Sequence, residues 1–263
     1  MDLGMTGERA LIVGASYGIG YESARTLLAE GADAIIVSSN SDKIAAAAER
    51  LVGEAGRSVP HLAADVTHSQ DVERLAAWVA QRTDRLDILV HAVGGSRRAA
   101  FGELDDADWL ANYEFNILGT VRVIRAMLPF LRRSEMGRIV ILGAAAARMP
   151  YAHQVVSNVH KAGLFGLVKT LAGELAPDNI RINSVAPGRT RTPLWIDRAD
   201  KLARERGVDP EVIFEEFSRE IPLGRFGWPE ETAAMVAFLA SRRASYITGQ
   251  TVNVDGGIAK GLL

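Results

Sequence analysis

The chain has 263 residues, 48% of them hydrophobic, enough for a sizeable core, and its 30 basic and 32 acidic side chains leave no positive surplus for tracking nucleic-acid phosphates. The absence of cysteine excludes disulfides, thiolate metal sites and cysteine nucleophiles. No apolar run approaches the roughly 18 residues of a membrane span. The opening "MDLGMTGERALIVGAS" carries acidic and glycine residues where a secretory signal needs a basic and then an apolar segment, so a cytoplasmic protein with a small-molecule partner is expected.

Taken in chain order, short β-branched runs alternate with longer stretches of helical period. Strands are predicted over 9–15 (RALIVGA), 33–39, 58–65, 86–93, 137–144 and 180–188, with a late seventh over 250–257 (QTVNVDGG). Helices are predicted over 18–31, 41–56, 69–83, 106–133, 154–177 and 229–241. This alternation implies one α/β domain over 1–263, a doubly wound seven-stranded parallel sheet covered on both faces, with right-handed crossovers. No Pro/Ser-rich linker and no internal repeat divides it. The charged insertion 194–220, with Trp195, Ile196, Phe214 and Phe217, reads either as a small helical lid of two short helices or as a solvated hairpin whose aromatics face the core.

After the first predicted strand, Gly14-Ala-Ser-Tyr-Gly18-Ile-Gly20 opens directly into a helix. Glycines there permit a tight turn and let a pyrophosphate approach the free N–H groups and the positive end of the helix dipole. The spacing is G-x-x-x-G-x-G instead of G-x-G-x-x-G.

This spacing, together with "ADVT" at 64–67, "FNILGT" at 115–120, "NSVAPGRTRTP" at 183–193, "PLGRFGWPEE" at 222–231 and "YITGQTVNVDGG" at 246–257, resembles the short-chain dehydrogenase/reductase family, in particular its 3-oxoacyl-[acyl-carrier-protein] reductase-like members. The resemblance implies a Rossmann-type domain binding NADP or NAD. It puts Gly14, Ser16, Gly18, Ile19 and Gly20 at the pyrophosphate, with Tyr17 beside them. Asp65 and Val66 fall at the adenine, the backbone of Ala92, Val93 and Gly94 along the cofactor, Lys161 on the ribose hydroxyls, and Pro187, Gly188 and Thr192 at the nicotinamide carboxamide. Asp65 also suits a cap on the helix that follows. The second strand ends Val37-Ser38-Ser39-Asn40, without the acid that holds a ribose 2′-hydroxyl and repels a 2′-phosphate. Neither Tyr17 nor Asn40 is basic, yet the hydroxyl and amide donors of Ser39 and Asn40 suit a phosphate, so NADP is preferred over NAD. The family also implies a homotetramer paired through the helices that contain Asn116 and Lys161 and through the last strand.

Of the four residues with which the family protonates an alkoxide, two match, Asn116 and Lys161. The serine falls on Ala144 and the tyrosine on Ser157, so the usual proton donor is missing. His153, Ser157 and Lys161 are spaced i, i+4, i+8 and share one face if the helix starts early enough. A water on Ser157 and Lys161, or His153 or Tyr151, is then a candidate replacement for the acid, whereas His160 points to a neighbouring face and reads as structural. Inside a long predicted helix, Asn116 suits a bulge. Three classes stay open: an oxidoreductase acting on a carbonyl or activated alkene, a dinucleotide-binding enzyme of non-redox chemistry such as dehydration, cyclisation or isomerisation, and a catalytically silent binding subunit.

Overall fold

Seven strands run parallel in the order β3-β2-β1-β4-β5-β6-β7. They are β1 (Arg9–Val13), β2 (Asp33–Ser38), β3 (His61–Ala63), β4 (Ile88–His91), β5 (Gly137–Leu142), β6 (Ile180–Pro187) and β7 (Thr251–Val254), seen in a computed structural model that describes residues 2–261. The helices are α1 (Gly18–Ala29), α2 (Ser41–Ala55), α3 (Ser69–Ala80), α4 (Asp106–Tyr113), α5 (Gly119–Leu131), α6 (Val155–Leu175), α7 (Pro193–Arg206), α8 (Pro210–Ser218) and α9 (Pro229–Ala240).

The strands read as continuous apolar runs because both sheet faces are covered. Side chains alternate across the pleat: Ile12, Ile36 and Val90 pack beneath α1, α2 and α9, while Leu11, Val13, Leu89 and Ile139 pack beneath α3, α5 and α6. The predicted single doubly wound sheet is therefore the observed one. Among the described residues, no helix is long and apolar enough to cross a membrane.

The segment predicted as one helix over 106–133 is three pieces. Between α4 and α5 lies a π turn, Glu114–Leu118, closed by the Gly119 N–H reaching back to the Glu114 carbonyl. Hydrophobic period does not separate one turn of i→i+5 bonding from ordinary helix. Gly119 sits where a Cβ would come within 2.9 Å of Val66 Cγ2, so the turn is pressed against the chain leaving β3.

The insertion forms α7 and α8, joined through Gly207 in the left-handed conformation. Phe214 is buried in a third cluster with Ala199, Ala203, Ile213, Ile221 and Phe226, and Trp195 and Phe217 pack against it. Trp195 and Phe226 meet edge to face at 4.9 Å. Ile196, by contrast, points outward and is 42% exposed.

Candidate active site

Strand order reverses at β1, whose neighbours β2 and β4 lead to opposite halves of the sheet, and a cleft of about 900 Å3 opens beyond the carboxyl ends there. The predicted residues Gly14, Ser16, Tyr17, Gly18, Ile19, Gly20, Ser39, Asn40, Val66, Ala92, Val93, Gly94, Pro187, Gly188 and Thr192 line this one cleft, as do Ser157 and Lys161. Gly18 has φ 60°, a conformation glycine adopts without strain, and a Cβ on Gly20 would lie 2.1 Å from the Gly14 carbonyl oxygen. These glycines let α1 start hard against β1. Its N-cap, Tyr17, makes no side-chain cap bond and no acid stands in the first turn, so the leading N–H groups and the positive dipole end face the cleft unneutralised.

At the end of β2, Ser38 Oγ is buried with no partner. Asn40 has a local duty: its Oδ1 accepts from the Lys43 N–H at 2.8 Å and caps α2, which leaves its amide N–H2 as the group it can offer a ligand. Lys43 itself lines the cleft, its Nζ 5.8 Å from the centre of the Tyr17 ring. Asp65 is turned inward to its own loop, where one carboxylate oxygen accepts from Thr67 N at 2.9 Å and Thr67 Oγ1 at 2.7 Å. The N-cap of α3 is His68, so Asp65 tightens the turn ahead of the helix without capping it, and it does not line the cleft.

The other end of the cleft is set by α6 and the loop after β4. Lys161 is buried; its Nζ donates to the Leu142 carbonyl at 3.3 Å, and desolvation lowers its pKa to about 8. A Cβ on Gly94 would come within 2.3 Å of that Nζ, so a larger residue there would displace the Lys161 ammonium from its place. Ser157, also buried, spends its Oγ accepting from the Arg97 backbone N–H at 3.1 Å. Ala144 follows β5 in extended conformation and lines the cleft with a methyl group. His91 ends β4 fully buried; burial, then the nearby Lys161 charge, lowers its pKa to about 3, which keeps it neutral.

Asn116, at the centre of the π turn, lies behind this wall. Its Nδ2 donates to Asn112 Oδ1 (3.1 Å) and to the Asn112 carbonyl (3.2 Å), which directs Oδ1 to accept from Gly95 N (3.2 Å). His160 Nδ1 meets the same Asn112 Oδ1 at 2.9 Å, and its ring is packed edge to face with those of Trp109 and Tyr113. The role predicted for His160 is thus the one it has, and Asn116 holds the 94–97 loop from below.

Besides Asp65 and Asn116, two further predicted positions are not brought to the cleft. Helix α6 begins at Val155, one residue after its cap, and His153 lies before it with φ 59° and an exposed side chain, so it does not share the face of Ser157 and Lys161. Tyr151 packs against the aromatic cluster of α7 and α8 with its hydroxyl buried and unpartnered, and burial raises its pKa. Neither residue lines the cleft. Conversely Lys43, Ser96, Arg97, Gln154 and Trp195 line it without having been singled out there. The helical position of Lys43, three after Asn40, was the one available signal for it.

Residues 14–259 match the family described as Enoyl-(Acyl carrier protein) reductase. The 3-oxoacyl-[acyl-carrier-protein] reductase FabG of Thermotoga maritima is 35% identical over 97% of this chain and 98% of its own length. Oxidoreductase UcpA of Salmonella typhimurium is 36% identical over 96% of this chain and 95% of its own. Among solved structures, L-sorbose reductase from Gluconobacter frateurii, complexed with NADPH and L-sorbose, superposes with a TM-score of 0.97 at 35% identity, covering 100% of both chains. With the glycine turn, the reversal of strand order and the buried Lys161 at one cleft, the chain belongs to the short-chain dehydrogenase/reductase family.

Proposed function

We propose that the protein is an NADP(H)-dependent oxidoreductase acting on a carbonyl or activated alkene of a small molecule, with its oxyanion protonated without a tyrosine. The observation that carries this is one continuous cleft running from Lys43 and Asn40, past the open N-terminus of α1, to Lys161. The donor set fits a dinucleotide: the unpartnered Ser38 hydroxyl and the Asn40 amide at the β2 end, bare helix N–H groups in the middle, and a buried ammonium beyond. Bound NADPH supplies a hydride. Lys43, beside Ser39 and Asn40, supports preference for a 2′-phosphate, and structural relatives solved with NADPH agree with it.

Lys161, protonated below pH about 8, suits the ribose hydroxyls and draws electron density at the reacting end. The Ser157 hydroxyl is the nearer polar group on the same helix face, and a water between the two is the proton carrier in this reading. Such a carrier replaces a positioned acid worth about 10² to 10⁴ in rate, and the Ala144 methyl forgoes an oxyanion donor worth about 10² to 10³. Ordinary ketones should therefore turn over slowly and activated alkenes comparatively well. One observation favours a second reading, a catalytically silent binding subunit: Ser157 Oγ accepts from Arg97 N, which ties the hydroxyl to the loop after β4 and leaves its single O–H as the side-chain donor beside Lys161.

The test is nicotinamide absorbance with carbonyl and enoyl substrates, run beside calorimetric titration of NADP+. Turnover supports the oxidoreductase; binding without turnover supports the silent subunit. A homotetramer is part of the proposal, supported by Leu110 and Tyr113 on α4 and Val159 on α6, 67%, 43% and 50% exposed on the helices expected to pair. Light scattering that returns the monomer mass removes it.

A further inference from the structure

Next to the lysine end of the cleft, two guanidinium groups stand over one aromatic wall and a third, that of Arg98, lies close to them. Arg189 lies 6.0 Å from the centre of the Trp195 ring and 4.9 Å from that of Phe217, and Arg198 lies 4.4 and 4.9 Å from the same two rings. With the Gln154 amide oriented so that its nitrogen donates to Ser96 Oγ at 2.8 Å, its oxygen accepts from Arg98 Nη2 at 2.5 Å and Nη1 at 3.1 Å. Gln154 and Trp195 both line the cleft, and Gln154 precedes Ser157 by one helical turn, so the cluster, whose arginines stand outside the cleft lining itself, adjoins the reacting end through these two side chains.

The charges are not balanced internally. Arg189 is buried and held by Glu220 and the Phe217 carbonyl. Asp255, the other carboxylate on this side, accepts from Gly257 N and Ala259 N. Among the described residues, Arg98 and Arg198 have no carboxylate within ion-pair distance, whereas the neighbouring Arg97 is paired with Asp108. Burial and then the charges of Arg98 and Arg189 lower the Arg198 pKa to about 10. The Tyr151 hydroxyl, buried and unpartnered, stands on the same wall, its ring 5.6 Å from Arg189. Like charges gathered on partly desolvated ground are costly unless an anion joins them.

We propose that Arg98 and Arg198, with the Tyr151 hydroxyl as a further donor, seat an anionic group of the substrate, so that the substrate is a small carbonyl or enoyl compound bearing a carboxylate or phosphate. Guanidinium forks match the oxygens of either group, and the Trp195 and Phe217 rings fix where the Arg198 fork points. This rests on the oxidoreductase reading, and it gives Tyr151 a task other than proton donor to the reacting carbonyl.

The experiment titrates the full chain, with and without saturating NADP+, against 4-oxopentanoate and its methyl ester, and against glycerone phosphate and glycerone. At least one anion is expected to bind about ten- to a hundredfold more tightly than its neutral counterpart, and the Arg98→Gln, Arg198→Gln double variant to lose that preference with a melting temperature that does not fall and NADP+ affinity retained. The two pairs tell carboxylate from phosphate. Anions that bind no better than the neutral compounds overturn the proposal, as does a preference that survives in the double variant. Acetate or inorganic phosphate matching the organic anions overturns the substrate assignment, because the seat then takes the free ion alone. Failure of NADP+ to bind sinks the oxidoreductase reading separately, since the cofactor-free titration still reports on the arginines.

Discussion

The two ends of the cleft differ in what their polar groups are free to do. At the α1 end the leading N–H groups, Ser38 Oγ and the Asn40 amide are left without partners, as a surface awaiting a ligand would leave them. At the α6 end Ser157 Oγ is satisfied by Arg97 N, Asn116 Oδ1 by Gly95 N, and Ala144 has nothing to donate. The first end keeps the glycine turn open to the cleft, while at the second the Ser157 and Asn116 side chains hold the loop after β4. In the proposed function Lys161 serves both ends, since a grip on the ribose hydroxyls would call for a lysine whether or not a tyrosine stands beside it.

The largest break in this contrast comes from rebuilding the second end. Ser157→Tyr combined with Ala144→Ser should raise reduction of activated ketones by about 10² or more while NADP+ affinity stays the same. Stopped-flow or steady-state absorbance checks it, and an unchanged rate would mean that the missing donors are not what limits the site. Next in size is Lys161→Met, expected to weaken NADP+ binding by about ten- to a hundredfold, the worth of a charged hydrogen bond, as read by calorimetry. The same variant should melt at a higher temperature without cofactor, because a buried ammonium whose one bond goes to a carbonyl is removed.

Proton linkage sharpens the same point. Burial lowers the Lys161 pKa from 10.5 to about 8, so between those values the unfolded chain holds a proton that the folded protein has released. Lys161 therefore costs stability below pH about 8 and the cost is relieved as pH rises toward 10.5. Denaturant titrations should show this rise in the cofactor-free protein and its loss in Lys161→Met. NADP+ affinity should run the opposite way, falling above pH about 8 as the charge that grips the ribose disappears. The smallest effect is at the far end: Lys43→Ala should weaken NADP+ by up to about fivefold and leave NAD+ nearly unchanged, since an exposed charge contact contributes roughly 1 kcal/mol or less. Equal losses for both cofactors would remove Lys43 from the 2′-phosphate.

Most of the fold could be read in the chain because the apolar runs of the central strands are buried on both faces, and such runs between helical stretches admit few topologies. The glycine turn that lines the cleft was legible for a related reason: Gly14, Gly18 and Gly20 fall within one short segment, and their geometry follows from one local turn. The substrate half was not. His153 was placed by counting back along a helix that in fact begins at Val155, after a left-handed residue. Arg98, Arg189 and Arg198 come from three separated segments and meet only through the packing of Trp195 and Phe217, which no spacing announces. In the insertion, which allowed a lid or a core-facing hairpin, Phe214 is buried in its own cluster and Trp195 lines the cleft, a division no periodicity announces.

The π turn at Glu114–Leu118 has a mechanical consequence. One surplus residue advances the azimuth of everything downstream by about 100° relative to an unbroken helix. That offset gives one continuous rod two allegiances: α4 presents Asn112 to α6 through His160, while α5 presents Val123 and Met127 to the sheet. Shortening the turn by one residue would restore ordinary phase and force the rod to choose, either unseating Asn112 from His160 or rotating the α5 stripe off the sheet. Asn116 sits at the pivot, so the length of this turn, more than the identity of any neighbour, sets where its amide meets the loop over the cleft.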